Sequence, residues 1–304
     1  MAKLIIGAST DFSGRLLFNI DTIQFTQRAD AIFQSIQFGA NRIADDVEIR
    51  GSSGVNRIIV NSGIGGFDAS DWSFSFWQER DRLIVNGSTF GETLKGSVRN
   101  DRIFGNGGND TIKGGAGHDL ISGGIGRDSL DGGTGNDTLS YAGDVFGVRV
   151  DLGRNEASRG EAAGDRISGF ENVTGGGGSD VLTGSNAANH ITGGGGGDIL
   201  EGDGGADRFV YRALTDSAPD TPDLILDFGS GDRIDLSAID ARQGPGNNAF
   251  RFIGSDGFES AGELRYSQGL GFTIIQADID GDGIADLEII LEGRIDLGAG
   301  DFIL

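Results

Sequence analysis

The stretch from Gly87 to Leu139 repeats every nine residues, a period that few folds can accommodate. It reads GSTFGETLK, GSVRNDRIF, GNGGNDTIK, GGAGHDLIS, GGIGRDSLD, GGTGNDTLS. One acidic residue recurs in each unit: Glu92, Asp101, Asp110, Asp119, Asp128 and Asp137. Two residues after each comes an aliphatic: Leu94, Ile103, Ile112, Ile121, Leu130 and Leu139. The first six residues of a unit suit a tight turn, where glycine reaches conformations other residues avoid. The last three suit a very short strand whose central aliphatic points inward. Two units then complete one coil, so equivalent turns recur every eighteen residues and stack on a common edge.

Glu92, Asp110 and Asp128 fall on one edge of such a roll; Asp101, Asp119 and Asp137 fall on the other. Carboxylates stacked at one strand spacing, about 4.8 Å, repel unless a cation lies between them. Calcium suits the place, because it takes six to eight oxygens, roughly 2.3–2.6 Å away, from carboxylates and backbone carbonyls. Candidate carbonyl donors are the turn glycines Gly105, Gly107, Gly114, Gly115, Gly117, Gly123, Gly124, Gly126, Gly132, Gly133 and Gly135. The competing reading is a disordered acidic linker, and without metal the chain is expected to behave as one. With metal, the in-register aliphatic column argues for a core, which a linker does not need.

The chain has 304 residues, enough for one to three domains, and a formal net charge of −22. That balance argues against nucleic acid and anionic membrane surfaces as partners. There is no cysteine, so disulfides cannot staple the fold. No apolar run is long enough to cross a membrane as a helix, and the N-terminus is a poor secretory signal.

Residues 1–86 lack the repeat but carry short apolar bursts at 47–49, 58–60 and 83–85. They read as an irregular solenoid that caps the roll. Ala29 to Gly39 reads as a short helix. Trp72, Phe74 and Phe76 alternate onto one face and read as core rather than as a ligand platform. Block one spans 87–140. Residues 141–174 interrupt the repeat with strands at 148–152 and 166–173. Block two spans 175–210, with the acidic column Asp180, Asn189, Asp198, Asp207 and the inward column Leu182, Ile191, Leu200, Phe209. Asn189 is neutral, so its site with Asp207 is expected to be the weaker one. The blocks lie 43 residues apart, Asp137 to Asp180, so the spacer must re-phase the coil or begin a second roll.

Residues 211–304 form a closing segment. It contains DIDGDGIAD, with Asp278, Asp280, Asp282 and Asp286 at positions 1, 3, 5 and 9 of an EF-hand-like loop. The glutamate expected at position 12 is replaced by Ile289, and the flanks read as strands. The loop is therefore either a calcium loop in a hairpin or an acidic β-turn.

The nonapeptides resemble the RTX family of type I-secreted proteins. Residues 87–304, through DLILDFGSGDRIDLSAID, NNAFRFIGS…AGELRY, DIDGDGIADLEI and the terminal DFIL, resemble the C-terminal half of serralysin-like metalloproteases. The resemblance implies an all-β fold: a right-handed parallel β-roll or β-solenoid with an irregular N-terminal β cap and a C-terminal β closing domain. It implies export through a type I ABC exporter, an extracellular location and several bound Ca²⁺. The chain departs from that family in its only two histidines, His118 and His190, which are 72 residues apart. There is no HExxH for zinc and no GxSxG elbow, which argues against an enzyme. Against a non-enzymatic calcium-folding protein stand an adhesin or polysaccharide-binding module, an enzyme housed in 1–86 or the spacer, and a pore former.

Overall fold

The computed structural model describes residues 2–38, 43–242 and 246–304. Among them regular structure is strand, broken by four three-residue 3-10 turns. The chain divides into two compact units, Met1–Ser140 with Gly164–Phe170, and Tyr141–Ala163 with Glu171–Leu304.

In the first unit one ladder of parallel strands runs from Thr10–Asp11 through Ala29–Gln34, Asn56–Asn61, Arg82–Asn86, Asp101–Phe104 and Leu120–Ser122 to Thr138–Ser140. A second holds Phe67–Asp68, Thr93–Lys95, Thr111–Gly117, Ser129–Gly135 and Arg166–Ser168. A third, confined to the N-terminal part, holds Ala2–Ile6, Ile20–Phe25, Ile43–Arg50 and Ser73–Ser75. The register gives the coil length directly. Phe33 pairs with Val60 and Val60 with Val85, steps of 27 and 25 residues. Val85 then pairs with Ile103, Ile103 with Ile121 and Ile121 with Leu139, each a step of eighteen. Three-sided coils thus narrow to two-sided ones where the nonapeptides begin.

The second unit repeats the two-sided plan. Arg149–Asp151, Val181–Ser185, Ile199–Asp203, Asp223–Ile225 and Leu287–Glu292 form one parallel ladder. Asn172–Thr174, His190–Thr192, Arg208–Val210, Arg233–Asp235 and Phe302–Ile303 form the other. Antiparallel strands Phe272–Asp278 and Glu263–Gln268 extend the first ladder beyond Leu287–Glu292. The core is the aliphatic column: Leu94, Ile103, Ile112, Ile121, Leu130 and Leu139 are at most 1% exposed. Leu182, Ile191, Leu200 and Phe209 continue the pattern in the second unit.

Three expectations need correcting. Ala29–Gln34 is a strand followed by the 3-10 turn Ser35–Gln37, not a helix; Gly39 lies outside the described residues. Ala29, Ala31 and Phe33 are buried while the residues between them are half-buried, a period of two that parallel pairing on both sides enforces. Phe76 does not share the inward face of Trp72. The strand ends at Ser75, Phe76 takes a φ of +55° and its ring is 83% exposed, while Trp77 turns inward. The span 166–173 is two strands, Arg166–Ser168 and Asn172–Thr174, separated at Gly169 with φ +69°.

Truncating Ile121 to alanine opens a hole in the middle of the column. The expected loss is about 2–5 kcal/mol, read by denaturant unfolding in saturating calcium.

Candidate metal centres

Most repeat aspartates are divided between two tasks; the exceptions are Asp101, with both oxygens on Ser97, and Asp180, with Oδ1 on Val148 N–H and Oδ2 on Gly176 N–H. One oxygen accepts the backbone N–H of the equivalent residue one coil earlier. Asp110 Oδ1 accepts from Glu92 at 2.7 Å, and Asp128 Oδ1 accepts from Asp110 at 2.8 Å. On the other edge Asp119 accepts from Asp101 at 2.8 Å and Asp137 from Asp119 at 2.7 Å. Block two does the same, with Asp198 Oδ1 on Asp180 N–H and Asp207 Oδ1 on Asn189 N–H, both 2.8 Å. All ten column residues are buried.

The second oxygen is the one a cation would need. Glu92 Oε1 and the Oδ2 atoms of Asp110, Asp119, Asp128 and Asp198 are buried and accept no hydrogen bond. A buried anionic oxygen without a donor is costly, so such a group either takes up a proton or pairs with a cation. Glycine makes the room. A Cβ at Gly114 would run into both Asp119 Oδ2 and the Gly132 carbonyl; at Gly105 it would meet Asp110 Oδ2 and the Gly123 carbonyl. Gly123 faces Asp128 Oδ2 in the same way, and Gly132 lies against the Gly169 carbonyl. Carboxylate and carbonyl oxygens therefore converge on cradles that a side chain would fill, the hard-donor set calcium takes. The second glycine of the motif is needed for a different reason. Gly115, Gly124 and Gly133 have φ of +110°, +85° and +104°, and a Cβ there would strike a backbone carbonyl of the preceding coil. Further round the turn, Gly126 and Gly135 press on the carbonyls of Gly108 and Gly117, Gly117 lies against Arg99, and Gly107 bridges to Ile125.

Burial raises the column carboxyls, and stacked neighbours add to it. Asp119 is pushed up to about 8, by burial first and then by Asp101 and Asp137. Burial lifts Asp101 and Asp198 to about 7, and Asp110 and Asp207 to about 6.

Asn189 behaves differently from the aspartates. Its Oδ1 accepts from Ser185 N–H at 2.6 Å, and its Nδ2 donates to the Glu171 carbonyl at 2.6 Å. The side chain is satisfied by protein alone. Asp81, outside the repeats, is a similar contrast: its Oδ1 takes Asn56 N–H and its Oδ2 takes Gln78 N–H, both at 2.7 Å.

The ladder also includes residues that a nine-residue count does not reach. Asp165 Oδ1 accepts from Asp128 N–H at 2.8 Å, 37 residues away. Asp223 accepts from Asp198 at 2.9 Å and Asp232 from Asp207 at 2.8 Å, each 25 residues on. Asp223 is buried beside the Tyr211 hydroxyl, and burial with the nearby Asp198 charge lifts this carboxyl to about 9. The signal that could have found them is the motif D-x-aliphatic, kept in Asp165-Arg166-Ile167, Asp223-Leu224-Ile225 and Asp232-Arg233-Ile234.

In the closing segment Asp278, Asp280 and Asp286 bring carboxylate oxygens within 4.8 Å of one another at the tip of the hairpin. Asp278 is buried and accepts from Gly281 and Gly283 N–H, at 2.6 and 2.9 Å. Asp282 stands outside this cluster, exposed, with Oδ1 on Ile284 N–H. A further cluster, Glu201, Asp203 and Asp227, was not foreseen; Asp227 takes the N–H groups of Gly202 and Asp203. His118 is exposed, and its Nδ1 accepts from Asn136 N–H at 3.0 Å.

Comparison with known proteins gives matches to two families. The family model described as the Peptidase M10 serralysin C terminal matches residues 129–304. The RTX calcium-binding nonapeptide repeat matches residues 86–121 and 104–139. Metallopeptidase AprA of Pseudomonas marginalis and metalloprotease AprA of Pseudomonas entomophila are each 40% identical over 136 residues. The aligned stretch is 41% of this chain and 28% of either relative, so the chain spans under a third of their length. Among solved structures, the extracellular lipase LipA from Serratia marcescens is 15% identical, over 82% of this chain and 45% of that one, with a TM-score of 0.27.

Two outcomes are expected. Gly114→Ala places a methyl in the Asp119 cradle and should raise the calcium midpoint of folding several-fold, measured by circular dichroism. The raised carboxyls favour the protonated folded state, so their stabilising effect is complete below the unfolded value near 4 and is lost as pH rises through about 6 to 9. In calcium-free buffer the β signal should therefore grow as pH falls from 9 to about 5; a flat profile would contradict the burial of these groups.

Proposed function

Since the chain belongs to the serralysin C-terminal domain family, whose model covers residues 129–304, we propose that it is a secreted protein for which calcium binding and folding are one event. The observation that supports this best is the row of buried carboxylate oxygens with no protein donor. Without a cation they repel one another, and the formal charge of −22 adds to that repulsion. Glycine-rich turns add a large backbone entropy cost. Roughly seven ions, about +14 in charge, would reverse the balance, and their binding free energy would appear as folding free energy. They would be held by Glu92, Asp101, Asp110, Asp119, Asp128 and Asp137, by Asp180, Asp198 and Asp207, and by the hairpin trio Asp278, Asp280 and Asp286.

Extracellular sites of this class bind at about 10⁻⁴–10⁻³ M. A chain with that affinity stays open where calcium is scarce and closes outside the cell. This suits passage through a type I ABC exporter as an unfolded chain. The reading is non-enzymatic: the two histidines lie 72 residues apart, His118 in a turn and His190 at the start of a strand, and neither HExxH nor GxSxG is present.

Far-UV circular dichroism during calcium titration tests the proposal. A cooperative rise in β signal, reversed by EGTA, is expected. A β signal of unchanged size in excess EGTA at neutral pH would refute it.

A further inference from the structure

We propose that the first unit carries a saccharide-binding cleft, separate from the calcium columns, that accepts an amine-bearing sugar. The cleft, about 480 Å³, opens where Phe67–Asp68 begins its ladder. That volume lies within the range of small-ligand sites. Phe67–Asp68 pairs with Thr93–Lys95 on one side, and among the described residues no strand covers its other side. The geometry follows from the change in coil length. The wide coils have a third side, the narrow coils do not, and the new ladder starts beside the change. Gly66, with φ +84°, lets the loop press onto the Thr93 backbone, where a Cβ would collide.

The lining combines two kinds of group. Phe38, half-buried, offers its ring to the cleft as an aromatic wall, with the buried Phe67 behind it, edge to face at ring centroids 5.2 Å apart. Trp72, 3% exposed, packs against both rings at 5.3 and 5.5 Å, and its Nε1–H has no acceptor among the described residues. Facing this wall are Asp45, Asp68, Asp71 and Lys95. Asp68 is already engaged, with Oδ2 on Lys95 Nζ at 2.6 Å and Oδ1 on Ser70. Asp45 and Asp71 are exposed, and among the described residues neither accepts a hydrogen bond, although Asp71 lies near enough to Lys95 to interact with its charge. With one lysine against three aspartates the cleft carries a net charge of −2.

The charge decides among ligands. A uronate or other anionic sugar would be repelled. A neutral sugar would find the Phe38 ring but leave the two exposed carboxylates unused. An amino sugar uses both: the apolar face of its ring lies on the aromatic wall, and its ammonium group meets Asp45 and Asp71. A lysine-rich peptide would satisfy the charges without needing the rings, and the test separates the two.

Full-length protein in saturating calcium should be titrated with a glucosamine tetramer by calorimetry, with tryptophan fluorescence as a second readout because Trp72 packs against the Phe38 ring. Saturable binding is expected. It should weaken at least about tenfold in the Asp45→Asn/Asp71→Asn double variant, and cellotetraose and tetralysine should bind at least about tenfold more weakly than the amino sugar. Both replaced side chains are exposed, and an unchanged calcium-dependent β signal would show that the variant folds. Absence of saturation, undiminished binding by the double variant, or equal binding of cellotetraose or tetralysine would each overturn the proposal. None of these results bears on calcium-dependent folding, which the dichroism titration reads separately.

Discussion

The bond between a buried aspartate and the backbone N–H of the coil before it holds the rolled part of this molecule in register. In Asp110, Asp119, Asp128 and Asp198 it uses one carboxylate oxygen and leaves the other buried with no donor among the described residues. Everything distinctive about the repeats follows from that unequal division. The glycines keep side chains away from the second oxygen, and stacking brings a carbonyl close to it. Asp81 and, inside the repeats, Asp180 show the alternative within the same molecule: both oxygens of each are satisfied by backbone N–H groups. A ladder of Asp81-like residues would be an ordinary solenoid, while a ladder of Asp119-like residues accumulates unbalanced charge with every coil.

The period of nine made most of the roll legible. It determined which aliphatics would be buried and which acids would share an edge, and the pairing of Ile103 with Ile121 and of Leu94 with Ile112 matches that arithmetic residue by residue. The arithmetic stops where loops change length. Asp223 and Asp232 lie 25 residues beyond their partners and Asp165 lies 37 beyond its own, so periodicity could not reach them. Only the short local signature of an acid two places before an aliphatic survives there. The N-terminal segment was less legible. In ADAIFQSIQF both periods can be read, and only pairing with strands on either side selects the extended one. Phe76 was misplaced for a local reason, since a single left-handed residue moves its ring to the other face.

The N-terminal coils are wider because they have a third sheet, and the repeats are narrow because six glycine-rich residues turn the chain within one short loop. A solenoid that changes girth must leave part of its surface uncovered. Here that surface holds the half-buried ring of Phe38 and three exposed aspartates rather than the branched aliphatics that fill the roll. The tryptophans of the same region are interior packing, which shifts attention from the aromatic residues as such to the hollow beside them.

The ladder also has a direction. In every rung described, the acceptor is the later residue and the donor the earlier one, so a coil is finished only by the coil that follows it. Asp198 and Asp207 close on Asp223 and Asp232, beyond the last nonapeptide. A chain released from its leading end could not complete its final turns until the trailing segment had emerged. The C-terminal region is on this view the keystone of the second unit, and chains cut short after residue 210 would be left with an open, unfinished end.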